Sequence, residues 1–126
     1  MIDHVSIAVR DLAAATRFYE TVLATLDYAK RDVRPMTVGF GKRYSEFWLN
    51  HRPDMTAMDA DSGAHICLRA RSRAAVAAFH AAALAAGATC DGAPGERPQH
   101  GTGYYAAFIR DPDGNRIEAV TFLSEG

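Results

Sequence analysis

Near its start the chain alternates, with Val5, Ile7 and Val9 on one side of the register and His4, Ser6 and Ala8 on the other. A period of two marks a strand with one buried face. The period then changes. From Asp11, a residue suited to N-capping, the apolar positions Leu12, Ala15, Phe18, Tyr19, Val22, Leu23 and Leu26 recur at helical spacing, which predicts a helix ending near Asp27. Short apolar runs then predict strands over 28–33, 37–41 and 45–50.

The same order returns further on. Sliding the chain by 61 positions lays His4–Arg10 over His65–Arg71, and Phe18 and Leu23 over Phe79 and Leu84. The second helix is expected from Ser72, through Val76, Phe79, Ala83 and Leu84, to Gly87, where a left-handed C-cap costs glycine least. Its many alanines read as small side chains that let a helix lie close on a sheet. Strands are expected over 88–91, 104–110 and 116–122, the last two joined by the turn Asp111-Pro112-Asp113-Gly114-Asn115. Each half therefore reads as strand, helix, three strands. The expected organisation is a single α+β domain of two βαβββ modules, about 1–52 and 64–124, joined by a polar linker at about 53–63.

Composition narrows the function more than the fold. The 126 residues are 48% hydrophobic and 23% charged, which suits one packed domain and excludes a disordered or fibrous chain. Fourteen basic and fifteen acidic residues leave a net charge of -1, with no basic footprint for nucleic acid or an anionic membrane. A small-molecule partner is expected instead. Cys67 and Cys90 form neither a disulfide framework nor a paired zinc motif, which points to a reducing compartment. Met1-Ile2-Asp3-His4 runs directly into the first alternation, and no apolar stretch approaches the roughly 20 residues that span a bilayer. A cytoplasmic location is the expectation.

Strand parity then places the chemistry. If Val5, Ile7 and Val9 meet the helix, His4 faces the other side, and the repeat puts His65 in the equivalent place. Glu118, between Ile117 and Ala119 in the last strand, joins them if its face is the same one. A carboxylate in such surroundings needs a cation, either a metal or an arginine such as Arg69 or Arg116. Two imidazoles and one carboxylate form a facial set suited to divalent nickel, zinc, manganese, cobalt or iron. Cys67 has the parity of His65 and reads as an inert thiol. His80 is placed on the solvent side of its helix, and His51 at the start of the linker. The glycine-rich stretch 92–103 reads as a lid, with His100 and Tyr104 or Tyr105 as substrate contacts or proton-transfer groups.

Asp3-His4-Val5-Ser6-Ile7-Ala8-Val9 with Asp11-Leu12 and Phe18-Tyr19, then Gly63-Ala64-His65-Ile66, and finally Asp111 through Glu118, resemble the vicinal oxygen chelate superfamily. That superfamily includes glyoxalase I, extradiol dioxygenases and the bleomycin resistance proteins. The resemblance implies a cupped mixed sheet built from the two modules, with His4, His65 and Glu118 as ligands of a divalent metal ion. It also implies a homodimer, because such cups commonly lie at a subunit or module interface. In glyoxalase I a fourth ligand, a glutamate, comes from the last strand of the first module. Trp48 occupies that place here and reads as a pocket wall, while Glu46 two residues earlier has the same parity and becomes a candidate ligand or catalytic base. The resemblance favours a metal-dependent glyoxalase-type lyase or isomerase, or thiol addition, on a small oxygen-chelating substrate. An iron-dependent dioxygenase and a metal-free drug-binding protein are the alternatives.

Overall fold

The computed structural model describes residues 1–59 and 61–122. Ala60 in the expected linker and the expected end of the second module at 123–124 lie outside these residues. The first module comprises β1 (Val5–Val9), α1 (Leu12–Ala24), β2 (Ala29–Val33), β3 (Thr37–Gly41) and β4 (Phe47–His51). The second comprises β5 (Ile66–Arg69), α2 (Arg73–Ala85), β6 (Thr89–Glu96), β7 (Tyr105–Arg110) and β8 (Arg116–Thr121). Each module forms its own four-stranded mixed sheet, in the orders β1-β4-β3-β2 and β5-β8-β7-β6. In both, the first strand runs parallel to the last and the other pairs are antiparallel.

Local chemistry accounts for the element ends. The Asp11 side chain accepts from Ala14 N at 3.0 Å and that of Ser72 from Ala75 N at 3.1 Å, so both helices are N-capped as their sequences anticipate. Gly87, with φ of 107°, follows α2 where a side chain would be strained. Phe18, Tyr19, Val22 and Leu23 of α1 pack onto Val38, Phe40, Phe47 and Leu49, and Val76, Phe79 and Ala83 of α2 onto Ala107, Ile109, Ile117 and Ala119. The two helices also touch, which merges both layers into one core. Every second residue of the strands is left on the face away from the helices.

The turn before β8 does more than close a hairpin. Asp111, 4% exposed, accepts four hydrogen bonds: from the Tyr19 hydroxyl at 2.6 Å, Asp113 N at 2.9 Å, Asn115 N at 2.8 Å and Asn115 Nδ2 at 3.0 Å. Asn115 Nδ2 also donates to Ala8 O at 2.8 Å, and Arg10 Nε donates to Asp113 at 2.7 Å. These bonds clamp the second module's turn onto β1 and α1 of the first.

Two expectations change on inspection of the structure. Strand β6 extends to Glu96, so the stretch expected to form a lid is half strand. Register shifts after Cys90 and Gly92 admit Gly92, Pro94 and Gly95 into an edge strand, where a proline need not donate inward. His80 is buried at 9% exposure instead of facing water, with Nε2 3.2 Å from Cys90 Sγ, and that burial lowers its pKa. Among the described residues, no helix is long and apolar enough to cross a membrane.

Candidate active site

The helix-free face of the second module is assembled by alternation on three strands. Ile117 and Ala119 enter the core, so Arg116, Glu118 and Val120 face the other way. Cys67 on β5 and Phe108 on β7 are the register partners of Glu118. His65, two residues before Cys67, lies on the same face. Its Nε2 donates to Glu118 Oε1 at 3.0 Å, and the Tyr104 hydroxyl donates to Glu118 Oε2 at 2.5 Å. Glu118 is only 2% exposed, so its charge is compensated through these donors and not by water.

This cluster controls its neighbours' protons. Desolvation of its sulfur, reinforced by the Glu118 charge, pushes the Cys67 thiol up to about 12. Desolvation and the hydrogen bond to Glu118 raise the Tyr104 phenol well above its ordinary value. Both groups therefore hold their protons at neutral pH. The Tyr104 ring lies 5.2 Å from that of His100 and packs edge-on against Phe122 at 5.3 Å. Tyr105, one residue on, points the opposite way, packs against the core and lies 4.6 Å beneath the Arg73 guanidinium. Strand alternation thus sets Tyr104 beside Glu118 and Tyr105 against the core.

His4 and Trp48 lie on the other sheet. They line a separate hollow of about 500 Å³ together with Ser6, Asp32, Arg34 and Ser45. His4 Nδ1 pairs with Asp3 at 2.8 Å, and the Arg34 guanidinium sits 5.0 Å above the Trp48 ring. Gly39 makes this packing feasible, because a Cβ there would collide with Ser45 and lie 3.0 Å from the Trp48 ring. Glu46 does not line the hollow. Its backbone stays in the ladder, with Val5 N donating to Glu46 O at 2.9 Å and Glu46 N to Phe40 O at 2.8 Å, while its carboxylate accepts from Lys42 N at 3.1 Å across the turn. Ser45 takes the place beside Trp48 and donates to Asp32 at 2.5 Å.

One chain therefore brings His65, Glu118 and Tyr104 together, and sets His4 and Trp48 on a second face. Among the described residues, no group of three or more His, Cys, Asp or Glu side chains is placed to hold a metal ion. The bond from Tyr104 to Glu118 was not anticipated from the sequence, although the parity of Tyr104 with Phe108 on β7 carried the signal. Arg97 and Arg110, on the same face as Glu118, were also missed.

Residues 1–119 match the family model of the Glyoxalase/Bleomycin resistance protein/Dioxygenase superfamily. The fold is similar to that of a glyoxalase/bleomycin resistance protein from Albidiferax ferrireducens T118, with 30% identity and a TM-score of 0.80, covering 94% of this chain and 95% of that one. A glyoxalase/bleomycin resistance protein/dioxygenase family enzyme from Burkholderia phytofirmans PsJN gives 23% identity and a TM-score of 0.75 over 97% and 98% of the two chains. Lactoylglutathione lyase from Agrobacterium tumefaciens shares the fold at 23% identity, with a TM-score of 0.66 over 95% and 92%. No curated protein sequence matches the chain.

Proposed function

The chain belongs to the Glyoxalase/Bleomycin resistance protein/Dioxygenase superfamily, and we propose that within it the protein is a metal-dependent, glyoxalase-type enzyme acting on a small oxygen-chelating substrate. The observation that carries this reading is the buried Glu118 carboxylate held against His65 at 3.0 Å on the helix-free face. An imidazole nitrogen and a carboxylate oxygen so placed fit two of the three protein donors of a facial set for a divalent ion. His4, carried on the other sheet's helix-free face, would complete the set when supplied by a second copy of the chain. Such a homodimer would also cover both open faces. A divalent ion bound there supplies Lewis-acid stabilisation of negative charge developing on substrate oxygens.

The rest of the chemistry belongs to the chain's own residues. Tyr104 keeps its proton in the bond to Glu118 and would offer a hydrogen bond, not the proton, to a substrate oxygen that gains charge. Phe122 and His100 fix the orientation of its ring. Trp48, backed by Arg34, offers a flat apolar wall to the substrate. Glu46, whose Oε1 accepts from the Lys42 amide, stays the candidate base. A lyase or isomerase reaction would pass its substrate proton to a carboxylate base, with Tyr104 stabilising the oxygen that gains charge.

Mixing two metal-binding variants tests both the ligands and the assembly. His4→Ala and His65→Ala should each lose stoichiometric metal while keeping wild-type circular dichroism. Co-refolded heterodimers should regain one metal per dimer, because one of the two cups then carries an intact His4, His65 and Glu118. Metal retained by His65→Ala overturns the ligand assignment. No recovery in the heterodimer overturns the shared cup.

A further inference from the structure

The helix-free face of the second module carries more positive charge than its own acids neutralise. Arg110 and Arg116 are direct cross-strand partners there, an arrangement of like charges that costs stability unless something anionic lies between them. Asp91 partly fills that role, with its two oxygens 3.4 Å from Arg110 Nε and 3.5 Å from Arg116 Nε. One carboxylate serves two guanidiniums. Both Nε atoms are buried and lack a hydrogen-bond partner among the described residues. Elsewhere Arg10 and Arg71 each pair with an aspartate of their own at 2.7 Å.

A third arginine is built into the same face. The Arg97 guanidinium lies 5.5 Å over the Phe108 ring, and its Nη2 donates to Ala93 O at 2.7 Å. Two glycines clear the space for it. A Cβ on Gly92 would lie 3.3 Å from Arg97 Nη2, and one on Gly95 would lie 3.0 Å from Nη1. Phe108 is the cross-strand partner of Glu118, and Arg116 is two residues from Glu118 on the same strand. Arg116 therefore stands one alternate-residue step, about 7 Å, from Glu118, with Arg110 across from Arg116 and Arg97 over the cross-strand neighbour Phe108. The chain as a whole carries a net charge of -1, so this concentration of guanidinium groups is local.

We propose that the substrate of this site is a small anion, bearing a carboxylate or phosphonate group that Arg110 and Arg116 grip while Arg97, fixed on Phe108, adds its charge from the flank. The Arg110 and Arg116 side chains stay 32% and 29% exposed, so their outer guanidinium nitrogens can meet the paired oxygens of such a group while Asp91 lies behind the buried Nε atoms. The proposal rests on the functional reading above, since it takes the oxygens next to His65 and Glu118 as the reacting end.

The test is an amide-resolved NMR titration of the full-length protein at low salt with succinate, methylphosphonate and the neutral isostere succinamide, with metal content measured on the same samples. Either anion should shift the amides of Phe108, Arg110 and Arg116 while succinamide leaves them in place, and the tighter of the two identifies the anionic group. Arg110→Gln/Arg116→Gln should weaken that binding at least tenfold. Arg97→Gln, whose side chain is partly exposed, should weaken it as well and serves if the double variant fails to fold. Absence of anion binding at tens of millimolar, equal binding of succinamide, or unchanged affinity in Arg97→Gln overturns the proposal. So does loss of the dimer in the arginine variants with anion affinity intact, which would make these residues an interface. Anion binding without metal would leave this inference standing and remove the metal-dependent reading, whereas bound metal with indifference to anions would do the reverse.

Discussion

Removing the Tyr19 hydroxyl with Tyr19→Phe isolates one bond of the clamp that joins the modules. Tyr19 is 1% exposed and Asp111 4% exposed, and the bond between them is 2.6 Å long. The substitution deletes a single oxygen, so the ring keeps its contacts with Phe18 at 4.8 Å and Phe47 at 5.2 Å and almost no cavity forms. Asp111 keeps its other three donors, from Asp113 and Asn115. What is lost is one hydrogen bond to a charged acceptor, about 2 kcal/mol of stability. For a chain of this length that lowers Tm by about 7 °C in a calorimetric melt at pH 7. A second readout comes from alkaline pH. Burial, and then the Asp111 charge, hold the Tyr19 pKa well above 10.0 in the folded state, so above about pH 10 the unfolded chain releases a proton that the native one keeps. Native stability then falls as pH rises, and Tyr19→Phe should remove this residue's share of that slope. A Tm within about 1 °C of wild type, under two-state melting, would refute the reasoning that the clamp carries the module junction.

Cys67 in the metal-free protein should react with iodoacetamide at pH 8 about a thousandfold more slowly than an ordinary exposed cysteine, although the residue is exposed, because its thiol sits at about 12. Glu118→Gln removes the adjacent charge and should accelerate that labelling, as read by peptide mass spectrometry. Labelling at an ordinary rate would contradict the desolvated cluster around Glu118. Gly39→Ala should destabilise the protein by about 1–3 kcal/mol in urea denaturation, because the added methyl meets Ser45 and the Trp48 ring. An unchanged midpoint would show that this wall of the hollow yields more easily than its packing implies.

The arrangement of elements was legible because both modules repeat one pattern, and because Asp11 and Ser72 announce the helix starts that the structure bears out. Parity also gave the face shared by His65, Cys67 and Glu118. It did not foresee that Ser45, and not Glu46, lines the hollow beside Trp48, the Glu46 carboxylate turning to the Lys42 amide. The extension of β6 was hidden because glycine and proline normally signal a loop, while a bulged edge strand tolerates both. His80 looked solvent-facing on an alanine-rich helix, where small neighbours leave the helical stripe poorly marked, yet it packs against Cys90. The Asp111-Pro112-Asp113-Gly114-Asn115 turn was legible as a hairpin, but its second role depends on Tyr19 and Ala8, far away in sequence. Strand parity likewise places His4 on a helix-free face without specifying which other face it meets.

The central claim is that His65 and Glu118 hold a divalent ion. Its most direct measurement is an anomalous-difference map from crystals of the protein grown with manganese. The account predicts a peak bonded to His65 Nε2 and a Glu118 oxygen, with His4 of a second copy as a further ligand. A map without a peak at the His65–Glu118 pair would contradict it.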